Sequence, residues 1–177
     1  PKDVKALIRT AKDNAYAPQV LEAVDGHNSR QKELLAHRIL RHFENAGRAP
    51  DQCRVALWGL SFKPNTDDVR EAPSLTVMRL LLEEGVTVAA FDPVAENNIR
   101  RAMGSPEGLV YCASNYQALE GAHALAICTE WGLFRRPDFE RMRALMADPV
   151  VFDGRNIYEP AKMRELGFTY YGIGRKS

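Results

Sequence analysis

The sequence predicts an α/β fold: a Rossmann-like, mostly parallel six-stranded sheet with helices on both faces, preceded by a helical region. Three observations carry this. Beyond residue 52, short apolar runs alternate with amphipathic helical stretches, the pattern of βαβ units. The runs RVALWGL, ALAICT and VVFDG are almost unbroken in their apolarity, as strands covered on both faces are. Before residue 48, by contrast, apolar residues recur at helical spacing.

The elements follow in order. DVKALIRTAKDNA reads as a helix that breaks at Ala17-Pro18. A second helix starts at that proline and ends at Gly47. Val20, Leu21, Val24, Leu35, Ile39 and Phe43 give it an apolar face. Its middle, DGHNSRQKE, is polar all round and faces solvent, a polar site or a partner subunit. Residues 1–47 thus form one region and residues 53–177 another, joined by RAPDQ. RVALWGL is the first strand, and Pro73 opens the helix SLTVMRLLLEEG. VTVAAFDP is the second strand, AENNIRRAMG a short helix and LVYCAS the third strand. NYQALEGA is a helix with Asn115 as its N-cap, and ALAICT is the fourth strand. DFERMRALMADP, VVFDG, PAKMRELG and TYYGIG complete the alternation.

Composition narrows the function classes. A 45% hydrophobic and 27% charged chain is globular rather than disordered. A formal net charge of +1 excludes a nucleic-acid footprint. No apolar run approaches the roughly 18 residues of a membrane span, and no secretory signal is visible. Cys53, Cys112 and Cys128 are scattered through strand-like runs without a CxxC pair. They read as buried reduced thiols of a cytoplasmic protein, not as nucleophiles. The four histidines have no metal spacing. The chain opens on Pro1 rather than methionine, so a piece of a longer protein is expected.

In an open parallel sheet, ligands bind beyond the carboxyl ends of the strands. That rule selects SFKPNTDDVREAP, TEWGLFRRPDF and DGRNIYEP. The first follows a strand and a glycine but lacks GxGxxG, so side chains rather than backbone amides must hold an anion there. Lys63 offers a point charge for phosphate or an oxyanion, and Arg70 a bidentate fork. The competing reading has Lys63 solvated and Arg70 paired with Asp67, Asp68 or Glu71. Arg155 follows the fifth strand directly; it serves a ligand or bridges to Asp153 or Glu159. Trp131 and Phe134 read as a hydrophobic lid sooner than a stacking platform. Asp92 reads as a turn residue before Pro93, or as a ribose ligand. Lys2 and Asp3 begin a helix, where an acidic residue is favourable.

Five stretches in this order, PKDVKALI, GLSFKPNTDDVREAPS, AFDP, ICTEWGLF and FDGRNIY, resemble the carboxyl-terminal part of the UDP-glucose/GDP-mannose dehydrogenase family. They run through nearly the whole chain, and the GLxFKPxTDDxRExP pattern is highly specific. The resemblance implies a two-step, NAD-dependent oxidation of a nucleotide sugar's primary alcohol to a carboxylate through a cysteine thioester. It implies a nucleotide-sugar domain over residues 53–177 and part of a dimer-forming central helical region over residues 1–47. The family's nucleophilic cysteine would precede Pro1, and the NAD-binding half with its glycine fingerprint lies outside this chain. By the same resemblance Asp3 positions or activates water, and Phe62, Lys63 and Arg155 contact the UDP-sugar. Lys2 lies at the cofactor and Arg70 reaches the NAD pyrophosphate. TEW favours UDP-glucose over UDP-N-acetylmannosamine, UDP-N-acetylglucosamine or GDP-mannose. The expected partner is a second copy through the central helix. A non-enzymatic nucleotide-binding module is the alternative of a different class.

Overall fold

The structure, a computed structural model, describes residues 2–175, the side chain of Lys2 excepted. Two helices come first, α1 (Lys2–Asp13) and α2 (Gln19–Asn45). The alternating part follows: β1 (Arg54–Trp58), α3 (Pro73–Glu83), β2 (Thr87–Phe91), α4 (Glu96–Met103), β3 (Leu109–Tyr111), α5 (Asn115–Leu119), β4 (Ala124–Ile127), α6 (Phe139–Leu145), β5 (Val150–Asp153), α7 (Pro160–Glu165) and β6 (Thr169–Gly172). The six strands are the six read from the sequence.

All pairings are parallel, in the order β3-β2-β1-β4-β5-β6. Growth of the sheet reverses between β1 and β4, and Trp58 lies opposite Phe91 on one side and Ile127 on the other. That reversal is the switch point where a doubly wound sheet opens a crevice for a ligand.

Strand alternation sorts the core into two layers. Val55, Leu57, Val88, Ala90, Ala126 and Phe152 face one side, with Val77 and Leu81 of α3 and Ile99 of α4. Ala56, Trp58, Ala89, Leu125, Ile127 and Val151 face the other, with Leu119 of α5, Met142 of α6 and Met163 of α7. Phe134 stacks on Trp58 with ring centres 4.9 Å apart. Trp131 is buried as well, so both aromatic side chains behave as the lid the sequence suggested.

Helix α2 supplies what the crossovers leave uncovered. Leu35, Ala36, Ile39 and Phe43 are buried in the first core layer with Phe152. The Arg38 guanidinium donates to the Gly172 carbonyl at 2.8 Å, fastening α2 to the end of β6. Its carboxyl end is closed by two bonds, Gly47 N–H to the Glu44 carbonyl and Arg48 N–H to the Phe43 carbonyl. Gly47 takes the left-handed φ of 67° that this double cap requires.

Two expectations change. Val20 and Val24 are 76% and 43% exposed instead of sharing the buried face. At 27 residues α2 is about 40 Å long and outruns the sheet, so its first half lies beside α1. The N-cap of α5 is Ser114, not Asn115: the Ser114 hydroxyl accepts from Gln117 N–H, and Asn115 is buried as the first helical residue.

Replacing Phe43, 2% exposed, removes a side chain that joins α2 to the sheet. Phe43→Ala is expected to destabilise the fold by roughly 3–5 kcal/mol in urea unfolding. A loss near zero would show that α2 is not part of the cooperative unit.

Candidate functional site at the switch point

The site begins with an aspartate at the end of β2. Asp92 is buried, and its carboxylate accepts five N–H donors. Oδ2 takes Leu60 N–H at 2.7 Å, Ser61 N–H at 3.1 Å and the Trp131 indole N–H at 3.1 Å. Oδ1 takes Val94 N–H at 3.0 Å and Ala95 N–H at 2.8 Å. One side chain thus fixes the loops after β1, β2 and β4. Buried charge is tolerable here because dipoles converge on it. Asp92 is therefore the turn residue expected before Pro93, through Val94 and Ala95, and it also faces inward to the β1 and β4 loops, which leaves no free oxygen for a ribose.

This arrangement bears on dinucleotides. Folds of this type hold a pyrophosphate on the amides after β1. Here Gly59 N–H is bonded to Phe91 and the next two amides to Asp92. The loop after β1 therefore does not fit a dinucleotide pyrophosphate in that manner.

Gly59 has its own reason. At φ 85°, a Cβ there would lie 2.6 Å from Thr129 Cβ. That close approach lets the Thr129 hydroxyl donate to the Ser61 carbonyl and clamp the β1 and β4 exits together. Ser61 is fully buried, and among the described residues its own Oγ has no hydrogen-bond partner. Gly154 answers the same need at β5, where a Cβ would lie 2.7 Å from the Ile127 carbonyl oxygen.

Beyond Ser61 the loop projects and closes on itself. Phe62 N–H donates to the Asp68 carbonyl at 2.8 Å, and Asn65 turns the tip at φ 61°. Asn98 of α4 ties the Asp67 carbonyl at 2.8 Å, and buried Val69 anchors the return. Phe62, 37% exposed, and Lys63 stand on this projection. Lys63 forms no ion pair among the described residues.

Arg70 and Arg155 are both paired. Arg70 grips Asp68 in a fork at 2.8 and 2.6 Å, which raises its pKa further, and its side chain is 72% exposed. Arg155 forks onto Glu130, and that hydrogen bond pulls the Glu130 pKa down. The expected partners Asp153 and Glu159 are not its ion-pair partners. Asp153 instead accepts the Arg155 backbone N–H at 2.9 Å, together with Ile157 N–H, Tyr158 N–H and the Tyr170 hydroxyl. Burial, reinforced by the Asp153 charge, pushes the Tyr158 and Tyr170 pKa values well up, so both stay protonated donors.

A cavity of about 220 Å³ opens between α2, the start of α3 and the ends of β4 and β5. Arg155, Lys32, Gln31 and Cys128 line it; Phe62, Lys63, Arg70 and Asp3 do not. Lys32 was not singled out from the sequence. Its only signal was the polar belt DGHNSRQKE on an otherwise amphipathic helix. Lys32 Nζ donates to Glu71 at 2.5 Å, and Lys5 of α1 donates to the other Glu71 oxygen at 2.9 Å. These two hydrogen bonds, Lys32 first, lower the Glu71 pKa to about 2. Asp3 lies exposed in the first turn of α1, two residues before Lys5. The side chain of Lys2 lies outside the described residues.

Burial raises all three thiols, Cys128 to about 12. They are packing groups. Among the described residues, no cluster of His, Cys, Asp and Glu suits a metal ion.

A parallel, doubly wound sheet with a switch point between β1 and β4 defines a Rossmann-like α/β domain. The model of the UDP-glucose/GDP-mannose dehydrogenase family, UDP binding domain, matches residues 56–160, and the chain belongs to that family. A UDP-glucose 6-dehydrogenase of Pseudomonas aeruginosa is 52% identical over 99% of this chain and 39% of its own length. One from Rhizobium meliloti is 36% identical over the same shares. A solved UDP-glucose dehydrogenase from the archaeon Pyrobaculum islandicum superposes with a TM-score of 0.79 at 30% identity, over 99% of this chain and 37% of that one. The chain thus spans about two fifths of these relatives, matching their carboxyl-terminal part.

Two measurements test the site's framework. Asp92→Asn must point an amide N–H at groups that are themselves donors, and is expected to cost roughly 2–4 kcal/mol in chemical unfolding. The Glu71 pKa is lowered, so its contribution is complete above its ordinary 4.5 and disappears as pH falls toward about 2. Glu71→Gln should flatten that acid limb of the stability profile and leave the limb above pH 7 unchanged.

Proposed function

We propose that this chain is the nucleotide-sugar-binding portion of an NAD-dependent UDP-glucose 6-dehydrogenase. Residues 53–177 form the UDP-sugar domain and residues 1–47 part of the central helical region. The carrying observation is the closure of the β1 amides by Asp92. Anion recognition then passes to side chains, and Lys63, Lys32 and Arg155 are the cations around the β1, β4 and β5 exits. Phe62, exposed beside Lys63, supplies an apolar surface to the sugar nucleotide.

Two of these cations carry a carboxylate until ligand arrives. Glu130 holds Arg155 and Glu71 holds Lys32. A diphosphate competes for both with a comparable or stronger charge-assisted bond.

NAD use comes with the family. The β1 loop does not suit the dinucleotide, so it is held mainly by the remainder of the protein. Arg70, largely exposed and away from the cavity, reaches its pyrophosphate, and Asp3 and Lys2 lie at the reacting end. Two copies pair through α2, which would cover the exposed Leu7, Tyr16, Val20 and Val24. No described helix is long and apolar enough to cross a membrane, and a cytoplasmic setting suits the three reduced thiols.

The chain alone should bind UDP and UDP-glucose in calorimetry. Lys63→Ala and Arg155→Ala are each expected to weaken that binding roughly 10- to 100-fold, the worth of one charge-assisted contact. Unchanged affinity in both variants would overturn the assignment. The chain spans about two fifths of its relatives and its β1 loop does not suit the dinucleotide, so it should form no NADH from UDP-glucose and NAD+.

A further inference from the structure

A second cavity, about 340 Å³, lies on the same helix. Arg38, Arg41, His42 and Asn45 of α2 line one wall, at the spacing that puts them on one face. Phe152, Tyr171 and Arg175 line the other. Its near edge at Arg38 is about 9 Å further along α2 than Lys32, six residues at the helical rise. The two cavities meet at the end of β6, where Gly172 borders this one and Ile173 the first.

Its lining is cationic, although Arg41 also borders a neighbouring cavity with Glu44 and Glu84, and Asp148 acts on His42. Three guanidinium groups converge on it, and among the described residues no carboxylate lines it. Arg38 donates to the Gly172 carbonyl and Arg175 to the Tyr158 carbonyl at 3.0 Å, both neutral acceptors. Arg41 is exposed and makes no hydrogen bond or ion pair among the described residues. The contrast with the first cavity is direct, since Lys32 and Arg155 there each hold a carboxylate.

The wall is also shaped. Phe152 and Tyr171 stack with ring centres 4.7 Å apart, and His42 meets both edge-on at 5.7 and 5.6 Å. His42 Nδ1 lies 3.3 Å from the Tyr171 hydroxyl. The three rings pack on one another, and the guanidinium forks stand beside them. Guanidinium forks match phosphate oxygens in pairs.

We propose that this cavity is a second anion site, separate from the switch-point site, that takes a diphosphate or triphosphate group. The proposal does not depend on the UDP-sugar reading. A ligand there would draw Arg38 from Gly172 and so touch the segment that borders the first cavity.

The test uses the 177-residue chain with inorganic tripolyphosphate as the probe, followed by calorimetry and by amide NMR shifts. Saturable binding is expected, with the largest shifts at Gly172 and Asn45 rather than Gly154. Arg41→Glu should weaken it roughly tenfold or more, and Arg41→Lys should restore most of it, while the shifts that UDP-glucose induces at Gly154 and Arg155 stay unchanged. An ATP arm separates the two sources of such a group. Equal affinity assigns the site to a bare phosphate chain, and tighter ATP binding adds a base on the aromatic wall. No saturable tripolyphosphate binding at millimolar concentration would overturn the proposal. So would shifts confined to Gly154 and Arg155, or binding indifferent to Arg41→Glu.

Discussion

The Asp92 carboxylate draws five N–H donors from three loops to one point, and the geometry of the site rests on that convergence. A charge buried at a strand end needs compensation, and here only dipoles supply it. Asp153 repeats the device at the end of β5, collecting three amides and a tyrosine hydroxyl. Between them the two aspartates set the backbone paths on both sides of the switch point. The close approaches at Gly59 and Gly154 follow from those paths. With the amides consumed, what the loops can still offer a ligand is side chains. A loop that resembles a dinucleotide cradle in position thus differs from one in chemistry.

Most of the fold was legible because strand and helix periods differ and alternate cleanly. RVALW, TVAAF, ALAI and VVFD could hardly be anything but covered strands. Less was legible where a local signal competes with a long-range one. Val20 and Val24 share a helical stripe with Leu35 and Ile39, but a stripe does not say where the sheet ends. Ser114 and Asn115 are both good caps, and only the chain path decides between them. Arg155 found Glu130, 25 residues away in sequence, because β4 and β5 are neighbours in the sheet. Asp92 beside Pro93 looks like an ordinary turn residue until its five partners, from positions 60 to 131, are seen together. Lys32 was hidden by its surroundings, being one charged residue in a polar belt.

Helix α2 joins three roles that are usually separate. Its last three turns are core, its middle borders the switch-point cavity, and its first half is a surface beside α1. The middle is where ligand charge arrives, at Lys32, and Glu71 sits there as the counter-ion shared with α1.

That shared counter-ion has a consequence for how the molecule comes apart. No described side chain of α1 is fully buried; Val4, Ile8 and Ala11 are half-buried at helical spacing, and ion pairs from Lys5 to Glu71 and from Lys12 to Glu22 add to that contact. The sheet is held by apolar burial, which salt does not weaken, whereas exposed ion pairs are screened over a Debye length of about 8 Å at physiological ionic strength. The chain therefore contains two kinds of adhesion, of which only the ionic one is weakened by salt. At low ionic strength α1 and the sheet should exchange their amide hydrogens as partners. As salt rises, α1 becomes a separately opening unit whose first turns swing away from the β1 loop while the sheet stays closed.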